Sequence, residues 1–179
     1  MLSVDEIIKK YYPHGSEIYN ILITHSCQVR DWALDIIDRH PEYVIDKEFV
    51  VEAAMLHDIG IFMCNAPGIK CFGTHEYIEH GYLGADLLRE EGLPRHALVC
   101  ERHTGVGLSL EMILRNNYPI PHRDMLPVSM EEKLICYADK FYSKSRLDVK
   151  YSVDRIREKM RRFGESEVIK FDQLHALFA

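Results

Sequence analysis

Apolar positions along this chain recur at spacings of three and four. Almost nowhere do they alternate, so the pattern predicts helices and offers no good period-two run of β-branched residues for a strand. From about residue 16, Ile18, Ile21, Leu22, His25, Val29, Trp32, Ala33 and Ile36 trace one stripe of a long helix that stops before Pro41. A second helix is expected from about Asp46 through Val50, Val51, Ala53, Ala54 and Leu56. It would end near Gly60, taken as a left-handed terminator, with His57 and Asp58 in its last turn. Residues 61–74 hold glycines and a proline without a clean period, and read as an apolar loop able to cover a site. Further helices are expected over about 76–90, carrying His80, Gly84, Leu87 and Leu88, and over 95–103, ending in Arg102 and His103. The three prolines of 116–127 mark a surface loop, and a helix starting at about Ser129 carries Leu134, Ile135, Ala138, Asp139 and Phe141. One or two amphipathic helices follow. The expected fold is an all-α bundle of six to eight helices, one domain over 1–179 with its core at about 20–145 and C-terminal helices at about 150–178.

Composition narrows the function. An apolar share of 47% and a charged share of 28% suit a globular domain with its own core. A net charge of -6 gives no basic excess for gripping a nucleic-acid polymer, and Lys159, Arg161 and Arg162 read as a solvated helix face. Neither a secretory leader nor a membrane-length apolar run is visible, so a cytoplasmic address and no membrane partner are expected. Five cysteines without a C-x-x-C pair argue for reduced thiols and against a cysteine zinc site. Ten histidines are the unusual figure, because imidazole is the commonest transition-metal ligand.

The adjacent pair His57 and Asp58, in AAMLHDIG, is by itself no more than a helix end with a capping acid. Its company changes the reading: His25 lies in an apolar stripe, His80 in HGYLGADLL, His103 in ERHTG and Asp139 in ICYADKF. Imidazole and carboxylate groups bordering a core are costly unless paired, and a metal centre gives all six a common reason. Nitrogen and oxygen donors without thiolate suit iron or manganese best, with zinc, cobalt, nickel or magnesium also compatible.

In these motifs the chain resembles the HD superfamily of metal-dependent phosphohydrolases over about residues 20–145, in the order His, His-Asp, His, His, Asp of its two-metal branch. The resemblance implies that His25, His57, Asp58 and Asp139 hold one ion and that Asp58, His80 and His103 hold a second, with Asp58 bridging. The likeness is greatest to small stand-alone HDIG proteins, through His80 to Leu88, Glu101 to His103, Glu131 to Lys133 and Ala138 to Lys140. It departs from cyclic-dinucleotide phosphodiesterases: Thr104 follows His103 where they carry a second histidine, and a later G-Y-P signature is missing.

A two-metal site can activate water near neutral pH and neutralise charge on phosphoryl oxygens, so hydrolysis of a small phosphorylated metabolite, with nucleotides the leading class, is the expected reaction. Asp58 would fix the metal separation, while Lys140 and Arg102 would bind phosphate oxygens, with Thr104 and Lys70 as weaker candidates. His80 is preferred to His75 because it alone has the H-x-x-x-G-A setting. His14, His40, His96, His122 and His175 lie near turns or helix ends, where solvated or capping histidines are ordinary. Two other readings stay open: a di-iron oxygenase with the same ligands, and a non-catalytic metal-binding or ligand-sensing module. Oligomeric state is open, including a homodimer.

Overall fold

Six serine and aspartate side chains set the starts of helices in the computed structural model, which describes residues 2–179. Ser3, Ser16, Asp46, Ser109, Ser129 and Ser152 each accept the backbone N–H three residues on, supplying a partner that the first helical turn lacks. The helices are α1 (Val4–Tyr11), α2 (Glu17–Arg39), α3 (Lys47–Leu56), α4 (His80–Glu90), α5 (Pro94–Arg102), α6 (Leu110–Asn116), α7 (Met130–Asp139), α8 (Val153–Arg161) and α9 (Glu165–Phe178). Between α3 and α4 the chain makes short 3-10 turns and a two-stranded antiparallel hairpin, β1 (Asn65–Ala66) with β2 (Cys71–Phe72), in which Ala66 pairs with Cys71.

The fold is all-α as expected, with nine helices among the described residues against the expected six to eight or so. The additions are α1 and α6, each no longer than eight residues and too short for periodicity to announce. The covering segment holds the small hairpin that the sequence did not foretell. Helix α3 stops at Leu56, before the expected end, so His57 is its cap and Asp58 lies beyond it. No helix among the described residues is long and apolar enough to cross a membrane.

Two apolar clusters make up most of the core. One joins Val29, Ala33 and Ile36 of α2 to Val50 and Ala53 of α3, Leu134 and Tyr137 of α7, and Phe171 and Phe178 of α9. The other joins Ile7 and Ile8 of α1 to Leu22 of α2, Leu56, Ile59, Leu88 of α4 and Cys100 of α5. Along α2, His25 falls between Leu22 of one cluster and Val29 of the other, so the polar residues occupy the seam between them.

Gly60 has φ -83 and is not a left-handed terminator. What requires glycine there is proximity: a Cβ would lie 2.3 Å from the His80 carbonyl oxygen and 2.6 Å from the Gly84 backbone nitrogen. Gly84 answers it, since its own Cβ would meet Cys100 Sγ at 2.6 Å and the Gly60 nitrogen at 2.9 Å. The two glycines thus let the turn after Asp58 rest against the first turns of α4, which sets His80 beside Asp58. Gly60→Ala is expected to lower unfolding free energy by about 2 kcal/mol in urea titration, because rigid backbone must move. Gly68→Ala, which meets nothing within 4 Å, should stay within about 0.5 kcal/mol of the parent. Equal stability of the two variants would refute this account of the glycine.

Candidate metal centre

Five helices deliver the six residues. His25 comes from the middle of α2, His57 and Asp58 from the turn that ends α3, His80 from the first position of α4, His103 from the residue after α5, and Asp139 from the last position of α7. All six are buried. Their donor atoms fall into two groups, His25, His57, Asp58 and Asp139, and Asp58, His80 and His103, within each of which they lie no more than 4.8 Å apart.

Asp58 divides its two oxygens between these groups. Oδ2 lies 3.2 Å from His25 Nε2 and 3.0 Å from His57 Nε2, and Asp139 Oδ1 closes that set at 2.9 Å from His25 Nε2 and 3.4 Å from His57 Nε2. Oδ1 lies 3.4 Å from His80 Nε2 and 3.3 Å from His103 Nε2.

Local backbone decides what each imidazole can do. His57 Nδ1 donates to the Ala54 carbonyl at 2.6 Å, His80 Nδ1 to Tyr77 at 2.6 Å and His103 Nδ1 to Cys100 at 2.7 Å. In each case the acceptor lies three residues back along the chain, and the Tyr77 carbonyl also accepts the His80 backbone N–H. With the proton committed to Nδ1, a neutral ring presents a lone pair at Nε2. His80 Nε2 and His103 Nε2 nevertheless face each other at 3.1 Å, with Asp58 Oδ1 beside both. Burial holds His103 down to about 4, so it is neutral at ordinary pH and supplies no second proton to that contact. Three acceptors converging without a donor is an arrangement that a cation satisfies. His57 Nε2 and Asp58 Oδ1, both buried, have no hydrogen-bond partner, which agrees. The all-nitrogen-and-oxygen donor set fits a divalent transition metal.

Charge around the site is held by lysines. Burial disfavours the charge on both aspartates, but Lys144 and His57 hold the Asp58 carboxyl well below the usual range, and Lys140 with His25 does the same for Asp139. Burial also opposes a charge on His57, yet Asp58 and Asp139 outweigh it and push that imidazole up to about 9. Lys144 was missed by sequence reasoning. It reaches Asp58 Oδ2 at 2.5 Å from the segment after α7, and a lysine in a polar turn carries no mark that would single it out.

Beside the cluster opens a cavity of about 680 Å³ whose walls include His80, His103 and Asp139, the lysines 140, 144 and 159, and Ala66, Gly68 and Ile69 from the hairpin segment. Residues 61–74 therefore do flank the site, as their composition suggested. Lys140 lines the cavity, pairs with Asp139 Oδ2 at 2.7 Å and donates to the His103 carbonyl at 3.2 Å. Thr104 also lines it, with a buried Oγ1 that lacks a partner.

Arg102 and Lys70 do not fit the expected phosphate role. Arg102 points away from the cavity and binds the buried Glu132 at 2.8 Å, bracing α5 against α7, and Lys70 sits outside it, 3.6 Å from Glu17. His75 pairs with Glu79 at 3.0 Å and stays out of the cluster, whereas His80 lies in it. His96 is a buried residue held by Glu52 at 3.0 Å rather than a solvated turn histidine.

A bundle of helices enclosing a buried His/Asp cluster at its seam is a recognisable class of metal-site fold. Residues 22–144 match the HD domain family, and the chain belongs to that family. An uncharacterized protein of Methanocaldococcus jannaschii is 32% identical over 149 residues, covering 81% of this chain and 79% of that one. Two proteins named tRNA (cytidine(56)-2'-O)-methyltransferase, from Picrophilus torridus and Thermoplasma volcanium, are 28% and 29% identical over 84% and 83% of this chain. The chain spans only 42% and 39% of their lengths. The crystal structure of the L. monocytogenes phosphodiesterase PgpH HD domain matches with a TM-score of 0.54, over 97% of this chain and 96% of that one, at 17% identity, a likeness of fold.

Arg102→Ala should destabilise the protein by about 1–3 kcal/mol in denaturant titration, because Glu132 loses a charged partner inside the bundle, while metal content stays at the parent level. Unchanged stability with weakened phosphate binding would restore the role first expected for this arginine.

Proposed function

We propose that this protein is a metal-dependent phosphohydrolase acting on a small phosphorylated metabolite, a nucleotide being the best-fitting class. The observation that carries the reading is the shared Asp58 carboxylate, whose oxygens serve two groups of facing imidazoles beside a lysine-lined cavity. His25, His57, Asp58 and Asp139 would hold one divalent ion and Asp58, His80 and His103 a second, with iron or manganese favoured. When bound, such ions neutralise charge on phosphoryl oxygens and make water a better nucleophile.

The chain's own residues do the rest. Asp139 is the single acid on the cavity wall and is already paired with Lys140, so the wall as a whole favours anions. Lys140, Lys144 and Lys159 line the cavity, and Tyr118, Tyr142, Ile156 and Phe163 add an apolar lining suited to a base or similar flat group. Ala66, Gly68 and Ile69 of the hairpin segment form part of its wall. Roughly 680 Å³ exceeds what inorganic phosphate needs and is within the range of pockets for drug-sized ligands. The methyltransferase name belongs to proteins more than twice as long as the matched stretch, and their activity is not carried over.

Two measurements test the reading. Protein purified without added metal should contain iron or manganese by mass spectrometry; His80→Ala with His103→Ala should cost one ion per chain and Asp58→Ala should abolish the second group's binding and weaken the first. Manganese-loaded protein should release phosphate anaerobically from at least one member of a nucleotide and sugar-phosphate panel, and Asp58→Ala should fall to background. A requirement for oxygen would favour the oxygenase chemistry, and bound metal without turnover would favour a sensing module.

A further inference from the structure

Two lysines touch the two aspartates, but in different ways. Lys140 takes Asp139 Oδ2, whereas the histidines of the first group face Asp139 Oδ1, so lysine and histidines use different oxygens. Lys144 takes Asp58 Oδ2, the same oxygen that faces His25 Nε2 and His57 Nε2. An ammonium at 2.5 Å from that oxygen and a divalent ion held by the four-residue group would crowd one carboxylate oxygen and repel each other across a short distance.

The backbone that carries Lys144 is tied down. Tyr151 N donates to the Phe141 carbonyl at 2.8 Å and closes the loop, Gln28 Nε2 on α2 donates to the Leu147 carbonyl at 2.6 Å, and Lys150 Nζ lies 3.0 Å from the centre of the Trp32 ring. Only the four-carbon stem of Lys144 is left to move. That stem lies in the cavity wall, between Ser143 and Ser145, with the Tyr77 ring 5.9 Å from its Nζ. When Nζ leaves Asp58, the cavity is where it can go.

We propose that Lys144 exchanges partners: it neutralises Asp58 while the first group is empty of metal and, once a divalent cation takes that carboxylate oxygen, turns into the cavity to bind an anionic oxygen of the ligand. The inference rests on the metal reading of the cluster. It predicts that cation and anion binding are linked through one side chain, each raising the affinity of the other by the same factor. No covalent step is involved; an ion pair is broken and another formed. Lys140, anchored to both Asp139 and the His103 carbonyl, takes no part in the exchange.

The experiment measures Mn²⁺ binding calorimetrically in the parent, Lys144→Met and Lys140→Met, and inorganic phosphate binding to each Mn²⁺-loaded protein. Lys144→Met should bind Mn²⁺ about ten-fold tighter without phosphate, since a competing cation is gone, and should bind phosphate about ten-fold more weakly once loaded. Lys140→Met should not tighten Mn²⁺. A purely structural lysine would weaken both affinities together, so weaker or unchanged Mn²⁺ binding in Lys144→Met, or unchanged phosphate binding, overturns the proposal. Should the methionine variant fail to fold, amine acylation of the parent read by mass spectrometry decides. Lys144 should be protected without metal, reactive with Mn²⁺ and protected again with Mn²⁺ and phosphate, and equal labelling in all three states overturns the exchange. A parent that binds no Mn²⁺ would fail the metal reading itself, a result separate from either outcome for Lys144.

Discussion

A fully buried carboxylate with no hydrogen-bond donor on one of its oxygens is the constraint from which much of this structure follows. Asp58 is 0% exposed, and Oδ1 has no hydrogen-bond partner. Such a group is tolerated only if positive charge surrounds it. Lys144 and His57 supply that charge, His25, His80 and His103 complete the surroundings, and the histidines come from four segments held at fixed offsets. The convergence of α2, α3, α4, α5 and α7 on one point is therefore an electrostatic requirement as much as a packing one.

That requirement also explains the divided core. An uninterrupted apolar interior would leave the six polar side chains nowhere to go. Leu22 and Leu56 instead belong to one cluster and Val29 and Ala54 to the other, with His25 between Leu22 and Val29 and His57 directly after Leu56. The close contact of Gly60 with Gly84, inside the second cluster, is the packing device that brings His80 near enough for the Asp58 carboxylate to serve both sets of histidines. Outside the centre, Arg102 with Glu132, and Glu101 with Arg89 and Arg123, repeat the rule on a smaller scale, each buried acid bracing an element that carries a site residue.

The long helices and the six cluster residues were legible in the sequence because both leave periodic or paired traces. His25 stands in an apolar stripe, and histidine beside aspartate after an apolar run is uncommon enough to notice. Features that depend on three-dimensional neighbours left no such trace. Gly60 reads as a helix terminator until the His80 carbonyl is found against it. Arg102 adjoins His103 in sequence but projects from the opposite side of the α5 end, toward Glu132. Lys144 is unremarkable in YSKSR, and only the closed loop of 141–151 turns it toward Asp58. The short helices α1 and α6 escaped for a different reason: at eight and seven residues they owe their helicity to caps and tertiary contacts rather than to a repeating pattern.

The Nδ1 bonds of His57, His80 and His103 reach only three residues back, so each ring has an orienting bond within its own stretch of chain in addition to its contacts across the bundle. Each of these imidazoles, when neutral, therefore turns its Nε2 lone pair toward the seam. Assembly of the bundle then needs only to bring finished donors together. A metal ion then meets rings whose orientations the backbone has already written, and what remains to change is the charge around them: the lysine on Asp58 and the proton on His57.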